Sequence, residues 1–169
     1  MLVHGGAGAV GIFAVQLARH RGAHAIATAS ARNLDFVREL GAEQGIDYHA
    51  GRFEDSARDL DVVFDTVGGE TLERSWGVLR PGGRMVTIAA SVEGATEERV
   101  KQAFFIVEAN QRQLIEVGGL LASGRIRTFV DTVVPLAQAP AAFRGEARRA
   151  GRGKVVVAVA AQETATAKG

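Results

Sequence analysis

The chain contains no cysteine in 169 residues. Disulfides, thiolate metal ligands and a cysteine nucleophile are therefore excluded within it. The absence fits a reducing compartment, so a cytoplasmic location is the expectation. Charge of one sign is also lacking. Twenty Lys and Arg face nineteen Asp and Glu, a net of +1, and no charge run resembles a tail. Nothing in that balance calls for nucleic acid. The longest apolar run falls far short of a membrane span. The opening Met1-Leu2-Val3-His4 has no basic segment and breaks into glycine, unlike a secretory leader. The four histidines, His4, His20, His24 and His49, are scattered without ligand spacing, so no metal is expected. There is no G-x-S-x-G elbow, no internal repeat and no low-complexity linker.

What the sequence has is glycine in one telling place. Met1 to Gly11 reads M-L-V-H-G-G-A-G-A-V-G. A short apolar strand runs into Gly6-x-Gly8-x-x-Gly11, and a helical pattern follows at once. In that context the motif signals dinucleotide binding. One glycine permits the tight turn, one lets backbone N–H groups approach a pyrophosphate, and one lets helix and strand pack closely. The helix N-terminus adds partial positive charge and unpaired donors. Gly6, Ala7, Gly8, Ala9, Val10 and Gly11 are the candidate pyrophosphate loop.

Strand and helix patterns then alternate. Strands are expected at Met1–His4, Ala23–Ala29, Ile46–Tyr48, Asp61–Asp65, Arg84–Ala89 and Ala103–Val107. Helices are expected at Ala9–Arg21, Arg32–Leu40 and Gly69–Leu79, with a brief one at Phe53–Arg58. In the first helix, Val10, Phe13, Ala14, Leu17 and Ala18 share one face. In the second, Leu34, Val37 and Leu40 point inward and Gly41 is the stop. Pro81-Gly82-Gly83 reads as a turn. Asn110 reads as a helix cap with Gln113 closing the box, ahead of Leu114, Ile115, Leu120 and Leu121. The expected fold class is α/β, a doubly wound parallel Rossmann sheet of about six strands. Residues 1–124 would form this domain. Residues 125–162 would form a small β-α-β extension, with strands at Thr128–Leu136 and Lys154–Ala160 around a helix at Pro140–Arg149. Residues 163–169 read as a frayed tail. The extension's strands need a pairing partner, or they become exposed edges.

The end of the second strand selects the dinucleotide. An NAD-selective fold places an acid there to hold the ribose 2′-hydroxyl. Here the sequence is Thr28-Ala29-Ser30-Ala31-Arg32-Asn33, without an acid. A 2′-phosphate would meet small hydroxyls and a guanidinium, which favours NADP over NAD. The plainer alternative is that Ser30 caps the second helix and Arg32 is a solvated surface residue. Both can hold together. A methyltransferase also uses a glycine-rich turn, but it wants an acid at that strand end. Val67 follows the fourth strand and Ala89 ends the fifth, where ligands of such folds lie. For Asp65, an ordinary strand-to-helix turn is the better reading. A short-chain dehydrogenase would want a Tyr with a Lys four residues on. The only tyrosine, Tyr48, has Arg52 there and lies too early. No catalytic acid or base is named.

Taken together, V-H-G-G-A-G-A-V-G, L-G-A-E-Q-G-I-D-Y at Leu40–Tyr48, D-V-V-F-D-T-V-G-G at Asp61–Gly69, L-R-P-G-G-R-M-V at Leu79–Val86 and G-K-V-V-V at Gly153–Val157 resemble the medium-chain dehydrogenase/reductase superfamily. The likeness is to its quinone-oxidoreductase-like, zinc-binding dehydrogenase branch, which includes alcohol dehydrogenase-like members. The resemblance implies a nucleotide domain joined to a GroES-like catalytic domain, with hydride passing from NADPH to quinones, enones or related carbonyls. It implies that Tyr48, with Ser30 and Arg32, lies near the 2′-phosphate, and the neighbouring Asn33 is a further candidate there. It implies that Phe105, Ile106 and Val107 approach the nicotinamide. It also implies that the Ala103–Val107 strand pairs with its twin in a homodimer, and that the tail returns to the catalytic domain's sheet. The catalytic domain and its zinc ligands are expected to be missing, so no zinc is expected. The expected function is the NADPH-holding portion of such an oxidoreductase, with a small-molecule substrate and no nucleic acid or membrane. The chain would then be a fragment, a truncated product, or a half completed by a separate catalytic-domain chain. The alternative is a non-catalytic nucleotide-binding or dimerisation module.

Overall fold

The computed structural model describes residues 1–89, 98–104, 107–148 and 152–159. Two compact units emerge, Met1–Arg127 and Thr128–Gly169. The first is built on a five-stranded parallel sheet in the order β3-β2-β1-β4-β5. Its strands are β1 (Leu2–Val3), β2 (Ile26–Ala29), β3 (Gln44–Asp47), β4 (Leu60–Asp65) and β5 (Leu79–Thr87). The helices α1 (Gly11–His20), α2 (Leu34–Leu40) and α3 (Gly69–Ser75) are the crossovers a parallel sheet requires, while α4 (Glu98–Ala103) and α5 (Gln111–Ala122) follow β5. The order reverses between β1 and β4, so a crevice opens at the carboxyl ends of those two strands.

Apolar burial holds the sheet between its helices. Leu2, Val63 and Met85 from the strands cluster with Leu72, Val78, Val100 and Ala103. Around Gly6, the side chains of Ala27, Val15 and Val37 crowd so closely that a Cβ there would overlap Ala27. Helix α2 ends on Gly41 at φ 114°, the left-handed stop expected from sequence. Helix α5 starts at Asn110, whose side chain accepts the Gln113 N–H at 3.0 Å.

Several expectations are corrected. Helix α1 buries Ile12, Val15, Gln16 and Ala18, while Phe13, Ala14 and Leu17 are half-buried and Val10 is exposed. The helix is apolar on more than one stripe, so periodicity could not set its rotation. Gln16 is held inward because its amide bonds Ile12 O and both the N–H and the C=O of Arg127. In α2, Phe36 is buried with Val37 and Leu40, and Leu34 is only half-buried. Among the described residues the sheet has five strands, where about six were expected. Of the expected sixth, Ala103 ends α4, Phe104 makes a single parallel bridge to Thr87, and Val107 is exposed outside any strand. Phe105 and Ile106 lie outside the described residues. Pro81-Gly82-Gly83 falls within β5, where the register with β4 jumps between Leu60 and Val62. The expected helix to Leu79 stops at Ser75 and tightens into a 3-10 turn, Trp76–Val78. Leu114, Ile115 and Leu121 on α5 are exposed.

In the second unit, β6 (Val130–Pro135) and β7 (Lys154–Ala158) pair in parallel with each other around α6 (Ala139–Phe143). This is a β-α-β element with its own partner strand.

Candidate cofactor site

The carboxyl end of β1 runs directly into the glycine turn. Gly5 takes φ 70°, a conformation that favours glycine. Its N–H is accepted by Thr28 Oγ1 at 3.1 Å, and the Gly6 N–H by the Thr28 carbonyl at 2.9 Å. The Gly8 N–H bonds the Gly5 carbonyl at 2.8 Å. A Cβ on Gly11 would overlap that same carbonyl, so α1 approaches the turn as only glycine allows. Ala9 and Val10 are exposed just ahead of α1. No hydrogen bond of the described chain takes the N–H of Ala9, Val10 or Gly11. Three consecutive backbone donors thus stand at the positive end of a ten-residue helix.

A cavity of about 380 Å³ opens beside this turn. His4, Gly5, Thr28, Tyr48, Phe53, Val67 and Arg74 are among its lining residues. His4 is 1% exposed. Burial pushes its imidazole down to about 4, against the pull of the nearby Asp65 carboxylate. One wall is stiffened by Arg74, which meets Glu54 through two parallel bonds of 2.7 and 2.6 Å. The Arg74 guanidinium also lies 4.9 Å from the centre of the Phe53 ring. That pairing holds the Glu54 carboxyl at about 2.

The β4 end is fixed by Asp65, which is fully buried. Its carboxylate accepts the N–H groups of Val67 and Gly68 at 3.0 and 3.1 Å and the Thr87 hydroxyl at 2.8 Å. Asp65 is therefore a turn-builder, as its sequence position suggested. Ala89, which follows β5, lies close enough that a Cβ on Gly68 would crowd it.

The structure gathers some of the sequence-nominated residues and not others. Tyr48 and Val67 line the cavity beside Gly5. Ser30, Arg32 and Asn33 share the turn after β2, where Ser30 Oγ accepts from Asn33 Nδ2 at 3.1 Å. Ser30 makes no side-chain cap to the backbone, which corrects the capping alternative. The Tyr48 N–H reaches the Ala29 carbonyl at 3.3 Å and brings the β3 end beside that turn. Sequence reasoning missed His4, Thr28, Phe53, Glu54 and Arg74. A polar residue directly after a two-residue apolar strand was the one available signal for His4.

A parallel sheet in this order, with a glycine turn between β1 and α1 and a crevice at the switch point, defines a Rossmann domain. The zinc-binding dehydrogenase family profile matches residues 40–157. A probable zinc-binding oxidoreductase of Arthroderma benhamiae is 36% identical, over 90% of this chain and 49% of its own length. An NADPH-dependent alkenal/one oxidoreductase of Arabidopsis thaliana is 35% identical, over 93% of this chain and 40% of its own. Among solved structures, the quinone oxidoreductase of Coxiella burnetii superposes with a TM-score of 0.80 at 30% identity, over 94% of this chain and 52% of that one. The chain belongs to the zinc-binding dehydrogenase family, of the medium-chain dehydrogenase/reductase type. It spans about half the length of these relatives, or less.

The family name raises the question of zinc. Among the described residues no three His, Asp or Glu side chains gather as metal ligands would, and the chain has no cysteine. These residues do not fit a zinc site. Also among the described residues, no helix is long and apolar enough to cross a membrane.

Proposed function

We propose that this chain is the NADP(H)-holding portion of an oxidoreductase of the quinone reductase type. Its substrate class would be quinones, enones or related carbonyl compounds. The observation that carries the reading is the division of donors in the glycine turn. Gly5, Gly6 and Gly8 give their N–H groups to the protein, and Ala9, Val10 and Gly11 do not. The latter three would hold the pyrophosphate, helped by the start of α1. Ser30, Arg32 and Asn33 would take the 2′-phosphate, and Tyr48 and Val67 would border the nucleoside. The bound nicotinamide supplies the hydride. The protein's part is to bind and orient. Ala89, with Phe105, Ile106 and Val107, belongs in this proposal to the nicotinamide side.

The turn after β2 carries Arg32 and no acid, which supports a preference for NADPH. NADPH is expected to bind at least tenfold more tightly than NADH, roughly 1.4 kcal/mol. Titration calorimetry giving equal affinities would overturn the assignment of that turn. We further propose that a second chain completes the assembly. It would be either a copy meeting this one through Ala103–Val107 or a separate catalytic-domain chain. A second functional reading, a nucleotide-binding module without turnover, gains support from His4. Among the described residues it is the one imidazole lining the cavity, and hydroxyl groups occupy both of its ring nitrogens.

A further inference from the structure

His4 stands at the junction of three elements and is buried with Thr28 and Ser75, at 1%, 3% and 0% exposure. Its Nε2 lies 2.8 Å from Ser75 Oγ on α3, and its Nδ1 lies 3.2 Å from Thr28 Oγ1 on β2. Proton counting sets the direction of every bond. Ser75 Oγ is 2.6 Å from the Thr71 carbonyl, which can only accept, so the single hydroxyl proton of Ser75 goes there. Ser75 must then accept from His4, and Nε2 carries the imidazole proton. In the neutral ring Nδ1 is left as an acceptor, and the Thr28 hydroxyl donates to it. With its proton committed, Thr28 Oγ1 offers a lone pair to the Gly5 N–H, 3.1 Å away. One directed chain therefore runs from the Gly5 amide through Thr28, His4 and Ser75 to the Thr71 carbonyl.

We propose that His4 is a positioning residue for the anion-binding turn. As the Nε2–H tautomer it orients the Thr28 hydroxyl to receive the Gly5 N–H, and so tethers the first residue of the turn to α3. The tether matters because the rest of the turn is registered on Gly5. The Gly5 carbonyl accepts the Gly8 N–H, and Gly11 packs against the same carbonyl. If Gly5 rotates, the three open donors at the start of α1 rotate with it. Protonated His4 could not accept from Thr28, so the relay works only with a neutral ring. This inference rests on the NADP(H) reading for its functional consequence but not for its bond directions.

Thr28 provides the discriminating pair of variants. Thr28→Val keeps the shape and deletes the hydroxyl, while Thr28→Ser keeps the hydroxyl and deletes a methyl. The full chain would be titrated with NADPH by nicotinamide fluorescence, well below each variant's melting temperature. The relay requires binding weakened about tenfold in Thr28→Val and within about twofold of wild type in Thr28→Ser. A packing role gives the reverse order, with Val tolerated and Ser costly, and that result overturns the proposal. Nitrogen-15 NMR of the ligand-free wild type supplies a readout independent of cofactor. His4 should be the Nε2–H tautomer, and an Nδ1–H tautomer or a charged ring at pH 7 refutes the chain of bonds. Amide exchange at Gly5 should be slow in wild type and Thr28→Ser and fast in Thr28→Val. Equal protection in all three also refutes it. If wild type fails to bind NADPH, the functional reading falls, while tautomer and exchange still judge the relay.

Discussion

Gly11 presses its bare Cα against the carbonyl of Gly5, so that a Cβ at position 11 would overlap the backbone oxygen and carbon of Gly5. Backbone atoms cannot swing aside as a side-chain tip can. Alanine is the better helix former by about 1 kcal/mol, yet here the overlap outweighs that gain. Gly11→Ala should destabilise the chain by about 2 kcal/mol and abolish NADPH binding. Thermal melts and a fluorescence titration on the folded variant measure both. A variant of unchanged stability and affinity contradicts the close approach.

Lowering pH should weaken the fold through His4. Unfolded, the imidazole titrates near its ordinary value of 6.5, and burial in the fold lowers it to about 4. The folded state resists the proton, so this contribution is whole above pH 6.5 and is lost as pH falls toward 4. Between pH 7 and 5 the loss should be about 2 kcal/mol. Urea unfolding at the two pH values reads it directly. The Glu54 carboxyl, held at about 2 from 4.5, is silent in this window, and its own loss begins only below pH 4.5. A flat profile from pH 7 to 5 would contradict a neutral, buried His4.

Glu54→Gln keeps the shape of the side chain and removes the charge that pairs with Arg74. The Glu54 and Arg74 side chains are 17% and 33% exposed, so solvent screens part of the interaction. A loss of about 1 kcal/mol is expected, read by denaturant midpoint, with a larger loss at low salt. Independence from salt would mean that packing of Arg74 on Phe53 dominates.

Asp65→Ala would leave the Val67 and Gly68 amides and the Thr87 hydroxyl without their buried acceptor. The cost should be about 3 kcal/mol. Asp65→Asn, which retains one oxygen, should cost visibly less. Equal losses would show that the charge, not the acceptor geometry, shapes the turn.

Much of this was legible in the residues themselves. The strand-turn-helix around Gly6, Gly8 and Gly11 states a tight glycine turn between β1 and α1. Gly41 and Asn110 mark a helix end and a helix start by local chemistry alone. The alternation of strands and helices dictates a parallel, doubly wound sheet. All of these are decided within a few residues by backbone sterics, capping bonds and periodicity. The relations that the sequence could not state join distant residues. His4 and Ser75 are 71 positions apart, Gln16 and Arg127 are 111 apart, and Glu54 and Arg74 are 20 apart. No local pattern encodes such a pairing, because each partner is an ordinary polar residue until folding removes its water. The same reason explains the rotation of α1. Two apolar stripes compete on that helix, and only the contact of Gly11 with Gly5 and the anchoring of Gln16 turn Ile12 and Val15 inward. Sequence alone determined that a glycine turn opens a Rossmann sheet. Tertiary structure decided which amides of that turn are committed to the protein and which remain open, because it alone brings Thr28 to Gly5 and Ser75 to His4.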